Sequence, residues 1–123
     1  MKIIKKENAE EFIYADTSKV LEYSIALNEK NLDFCINKIS GRYPVKGYTS
    51  NLECEELCHI LDGEGTIYRL NEEPISFKRD DIIYINIKDI YYWEGDFVVS
   101  IVCTPAWSKA QCKAYNDDGT QIN

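Results

Sequence analysis

A chain of 123 residues has the length of one ordinary domain, and its 14 basic and 21 acidic side chains leave a net charge of −7. Hydrophobic residues at 45% and aromatics at 12% exclude a disordered or collagen-like chain and supply a core without metal or disulfide staples. No basic run occurs, so neither nucleic acid nor an anionic membrane is expected as a partner. The start, Met1-Lys2-Ile3-Ile4-Lys5-Lys6, lacks the apolar stretch of a signal peptide, and no apolar run approaches the ~18 residues of a membrane span. Five cysteines, an odd number, make a poor disulfide framework and suit reduced thiols. A cytoplasmic setting is expected.

In chain order, Ile3 to Lys5 is strand-like. Val20 to Leu27 and Leu32 to Ile39 flank the polar Asn28-Glu29-Lys30-Asn31 and predict a hairpin. Gly41-Arg42-Tyr43-Pro44 ends the second strand. Glu56 to Asp62 is a strand leading into Gly63-Glu64-Gly65, where glycine tolerates unusual backbone shapes. Thr66 to Leu70 and Ile75 to Lys78 form a second hairpin around Asn71-Glu72-Glu73-Pro74. Asp81 to Asn86 and Tyr91 to Glu94 follow, separated by Ile87-Lys88-Asp89-Ile90. Gly95 is expected to turn the chain into the nearly all-apolar Phe97 to Cys103. Only Ser108 to Tyr115 reads as helical, before a loose tail at Asn116-Asp117-Asp118-Gly119. Strands at this spacing predict an all-β sandwich or barrel with a short C-terminal helix.

Two windows resemble the sequence motifs of the cupin superfamily, small β-barrels of jelly-roll type. Glu56-Leu57-Cys58-His59-Ile60-Leu61-Asp62-Gly63-Glu64-Gly65 is similar to the second half of the first motif, in which a glutamate precedes a glycine by seven positions. Asp80-Asp81-Ile82-Ile83-Tyr84-Ile85-Asn86, with Lys88 and Tyr91 beyond it, has the spacing of the second. Gly41-Arg42-Tyr43-Pro44 and Cys103-Thr104-Pro105-Ala106-Trp107 resemble small single-domain cupins of undefined activity. The resemblance spans about residues 40–110 and implies a cupin-type jelly-roll β-barrel forming one domain over 1–123. It also implies a homodimer paired through the N-terminal strands, which a monomer in sedimentation at micromolar concentration would remove. Covering sheet edges points the same way.

The departures from the motifs bear on function. The paired histidines fall at Ser50 and Leu52, or one residue earlier at Thr49 and Asn51, and the second motif's histidine falls at Tyr91. Of the family's usual ligands only Glu56 remains, and the chain has one histidine in all. A metal held by several imidazoles has no ligands here. Cysteines do not replace them: Cys54 and Cys58 lie about 13 Å apart along a strand, beyond the ~4.6 Å two thiolates on one ion require. No metal and no cofactor are expected.

An inward Glu56 puts Cys54 and Cys58 on its face and His59 on the other. Tyr91 and Trp93 would then face inward and Tyr92 outward; for Phe97 to Cys103 either phase is apolar. Glu56, Cys58, Tyr91 and Trp93 are the candidate ligand-binding residues: aromatic walls for stacking, a phenol and a carboxyl for orientation. The reading is a metal-free binder of a small polar or sugar-like molecule. One alternative is a metal-independent isomerase or epimerase with Glu56 as base and Tyr91 as acid. Another is a structural or interaction protein whose barrel is plugged by a Glu56–Tyr91 hydrogen bond. The directions of Arg42 and Arg69, and the place of Trp107, are open at this level.

Overall fold

The long strands set the architecture. The computed structural model describes residues 1–122. It is built on β3 (Asp33–Tyr43), β5 (Glu55–Arg69) and β8 (Tyr91–Thr104), with β8 in the middle. β5 pairs antiparallel with β8 from Glu55 opposite Thr104 to Arg69 opposite Tyr91, and β3 covers the other edge from Asp33 opposite Cys103 to Tyr43 opposite Trp93. Around them lie β1 (Glu10–Ala15), β2 (Ser18–Glu22), β4 (Tyr48–Asn51), β6 (Ile75–Lys78), β7 (Ile82–Ile85) and β9 (Cys112–Tyr115). All nine join one curled sheet that closes towards a barrel. The all-β expectation holds.

Alternation on β8 settles the phase that composition left open. Tyr91, Trp93, Phe97, Val99, Ile101 and Cys103 are buried, while their even-numbered neighbours face outward or are half-buried. On β5 the buried positions are Glu56, Cys58 and Ile60, and then Ile67. That change of parity comes from a bulge: Leu61 has no partner on β8, and one extra residue turns every later side chain to the opposite face.

Several expectations need correction. Gly63-Glu64-Gly65 and Gly95 do not end strands; β5 and β8 run straight through them with Gly65 opposite Gly95. The glycines allow a close approach instead. Gly63 has φ +80°, and a Cβ there would sit 2.1 Å from the Asp96 carbonyl oxygen. Ile3 to Lys5 lies outside any strand, and the N-terminal strand is β1. β2 ends at Glu22, because Ser24–Leu27 makes one helical turn (α1) closed by Asn28 at φ 48°. β2 and β3 still pair as the predicted hairpin, through this longer connection.

The C-terminal helix shrinks to a 3₁₀ turn at Lys109–Gln111 followed by β9, which pairs with β4. Tertiary pairing overrides local preference there. Gln111 is buried, and its Oε1 accepts the backbone N–H groups of Glu53 and Cys54 at 3.0 and 2.7 Å, pinning the entry to β5. The tail is ordered too. It turns through the Asn116 N–H to Thr120 carbonyl bond at 2.8 Å, and Asp117 accepts the Gly47 N–H at 3.1 Å.

Candidate functional site

One end of the barrel holds a cavity of about 120 Å³, lined from β1, β2, β3, β4, β5, β8 and β9. Glu56 lies at its buried floor and is 7% exposed. Its Oε1 accepts hydrogen bonds from Asn51 Nδ2 at 3.0 Å and Tyr91 OH at 3.1 Å, and its Oε2 accepts one from Cys103 Sγ at 3.3 Å. Asn51 in turn accepts the Trp107 indole N–H on Oδ1 at 3.0 Å. Trp107 also gives its backbone N–H to Asp33 Oδ2 at 2.9 Å. A chain of hydrogen bonds therefore runs Tyr91–Glu56–Asn51–Trp107–Asp33, from the floor to the wall.

Of the four expected ligand residues, the structure brings Glu56, Tyr91 and Trp93 to this cavity. Cys58 shares the inward face but lies fully buried in the core and does not line it. Burial pushes its thiol well up, with the Glu56 charge adding, so it packs as a small hydrophobe. His59 points outward, 3.5 Å from Asp80, and Tyr92 also faces out, stacked on Tyr68 at 4.7 Å. Thr49 and Asn51 line the cavity and Ser50 between them does not, so the earlier of the two alignments of the missing histidines is the one that faces the site.

The sequence reading missed half the wall. Ser18, Val20 and Glu22 enter from β2, and Asp33, Cys35 and Asn37 from β3, each set at strict alternation. That period-two pattern is the signal that could have found them. Tyr14 and Tyr43 complete the aromatic side.

Three carboxyl groups, Glu22, Asp33 and Glu56, thus face one space that no cationic side chain among the described residues lines. Arg42 is held elsewhere: its guanidinium lies 3.7 Å above the Tyr92 ring, donates to the Gly47 carbonyl at 2.8 Å and pairs with Asp117. Arg69 donates to the Glu73 carbonyl at 2.6 Å and pairs with Glu72. Burial raises the Glu56 pKa, outweighing its three hydrogen bonds, and Asp33 raises it further. Burial also raises Glu22 and Asp33. Tyr91, buried beside Glu56, is pushed well above the usual phenol range and keeps its proton.

A larger hollow of about 730 Å³ lies along the glycine-bearing parts of β5 and β8. Its charged side chains Glu64, Glu94 and Asp96 are exposed, while Thr66 and Tyr68 in its wall are part-buried.

No protein-family model matches the chain, and no curated protein matches it. Solved structures do. A tyrosine-to-phenylalanine variant of Streptomyces Pac13 with uridine superposes with a TM-score of 0.81 at 13% identity, covering 94% of this chain and 91% of that one. An RmlC-like cupin from Shewanella frigidimarina gives 0.66 at 10% identity, over 85% and 90%. The chain has the cupin fold. Ectoine synthase from P. lautus is a further cupin-fold neighbour, with TM-score 0.69 at 14% identity over 89% of this chain and 82% of that one. Pac13 is described as a unique nucleoside dehydratase. At such identities the likeness carries the cupin fold alone, and the chemistry must be argued from the cavity.

Proposed function

We propose that this cupin-fold chain is a metal-free binding protein that takes a small polar molecule, sugar-like or nucleoside-like, into the barrel. The observation that carries the reading is the open cavity above Glu56. Its volume of about 120 Å³ is roughly ten times the ~10–15 Å³ that one water needs on the same measure. The Glu56–Tyr91 hydrogen bond of the plugged-barrel alternative is present, yet it occupies only the floor. Trp93 and Trp107 line the same cavity, and a protonated Glu56 offers both donor and acceptor.

Pac13 with uridine supports a ligand of that size and polarity. The isomerase reading keeps a place because a carboxyl raised by burial beside a phenol suits proton transfer. Binding that survives Glu56→Gln while turnover vanishes would favour it. The unpaired cysteines among the described residues fit a reducing cytoplasmic setting, and the homodimer remains part of this proposal through the sheet-edge strand β1.

The test is NMR titration with uridine and with glucose, read at the two indole N–H signals. The expected result is a saturable shift of the Trp107 indole with at least one of them, weakened by Asn51→Ala, which removes its acceptor. No shift with either at about 10 mM, where affinity would be under ~3 kcal/mol, would remove neutral sugar-like and nucleoside-like ligands from the reading.

A further inference from the structure

We infer that the cavity selects an organic cation, an amine carried on a small hydroxylated or cyclic frame. This inference rests on the binding reading above and names the charge of its ligand. The argument starts from a count of charges. Glu22, Asp33 and Glu56 line the cavity from β2, β3 and β5, and among the described residues no lysine, arginine or histidine lines it. The other titratable groups facing them are neutral when protonated: Tyr14 from β1, Cys35 and Tyr43 from β3, Tyr91 and Cys103 from β8, and Cys112 from β9. An anionic ligand would meet three carboxyls and no counter-charge. A monovalent cation is balanced by one ionised carboxylate and meets oxygen acceptors on the other two.

Two further observations point to a ligand. Asn37 is 7% exposed and lines the cavity, and only its Oδ1 has a partner, the Ser18 hydroxyl at 3.0 Å. Its Nδ2 is not among the buried unpartnered side-chain atoms, which are Ser50 Oγ and Gln111 Nε2 among the described residues, so this amide end is reachable from the cavity and can donate to a ligand hydroxyl. The walls are also aromatic, with Tyr14, Tyr43, Trp93 and Trp107 lining the same space. Ring faces attract cations, most strongly where water is excluded. A bare metal ion fits less well, since no three His, Cys, Asp or Glu among the described residues converge to hold one. A ring-bearing or hydroxylated amine uses all three features: carboxyls for the charge, rings for the frame, and the Asn37 amide for a hydroxyl.

Binding would couple to protons. Burial and mutual repulsion favour the neutral carboxyls, so an incoming ammonium displaces protons and its affinity falls on acidification.

The experiment uses three matched probes on the full chain: trans-4-aminocyclohexanol, trans-1,4-cyclohexanediol and trans-4-hydroxycyclohexanecarboxylate, each titrated against the Trp107 indole signal. The expected result is about tenfold tighter binding of the amine than of the diol near pH 8, a preference shrinking towards pH 5. Asp33→Asn and Glu22→Gln should each reduce that preference. The part-buried Glu22 keeps the test open should Asp33→Asn fail to fold. Equal or tighter binding of the diol or the carboxylate overturns the inference and leaves the cavity reading standing. If no probe binds but uridine or glucose does, the inference alone falls; if none of the five binds, both fall together.

Discussion

Trp93→Ala is expected to cost about 3–5 kcal/mol of folding stability, the range for removing a fully buried large aromatic. Trp93 is 3% exposed and belongs to the hydrophobic core cluster. It contacts Phe77 edge-on at 5.6 Å, Phe97 at 5.4 Å and Tyr91 edge-on at 5.8 Å, so three aromatic partners lose a neighbour at once. Such pairs add about 0.5–1.5 kcal/mol each beyond the area they bury. The void would also merge with the cavity Trp93 lines, letting water reach Glu56. Urea unfolding measures the loss. Tyr92→Ala, one residue along and outward, serves as the control, with a clearly smaller cost because Tyr92 is only part-buried. Equal losses at 92 and 93 would contradict the inward assignment of this strand.

The stability of the wild-type chain is expected to fall as pH rises from about 4.5 through the neutral range. Glu56 has a folded pKa above its unfolded one, chiefly through burial. Below the unfolded value both states are protonated and the full stability is present. As pH climbs through the folded value, the folded state must ionise a carboxyl it holds poorly, and stability is lost. Glu22 and Asp33 shift in the same direction for the same cause, so the three contributions add in sign. Each pKa unit corresponds to about 1.4 kcal/mol. Glu56→Gln should therefore flatten the pH profile and raise stability near pH 8, since its amide carbonyl can still accept from Asn51 and Tyr91. Thermal melts across pH would show it. A profile unchanged by the substitution, or stability rising with pH, would mean that Glu56 folds as a well-solvated carboxylate.

How far the site was legible differs from residue to residue. Glu56 could be placed because its motif resemblance and strand alternation agree, and Tyr91 and Trp93 followed from their two-residue spacing. Cys58 satisfied the same alternation yet lies away from the cavity, because facing inward does not say how deep a side chain sits. Glu22 and Asp33 lie outside the motif windows, and their facing depends on how β2 pairs with β3, a long-range fact. The bulge at Leu61 hides inside an unbroken strand pattern and still flips the face of everything after it. Gly63, Gly65 and Gly95 misled in the opposite sense. Their composition suggests turns, but the structure uses them to bring two continuous strands together. Arg42 could not be assigned without Tyr92 and Asp117, which are 50 and 75 residues further along the chain.

The central claim is that the barrel interior is a binding cavity and not a filled core. Native mass spectrometry of tag-free protein, with extraction of any retained molecule and elemental analysis of the same sample, tests it most directly. The account predicts no stoichiometric metal, and a small polar adduct that is lost from a variant whose cavity is filled by Cys35→Trp. A near-stoichiometric transition metal, or an adduct that the cavity-filling variant retains in full, would contradict it.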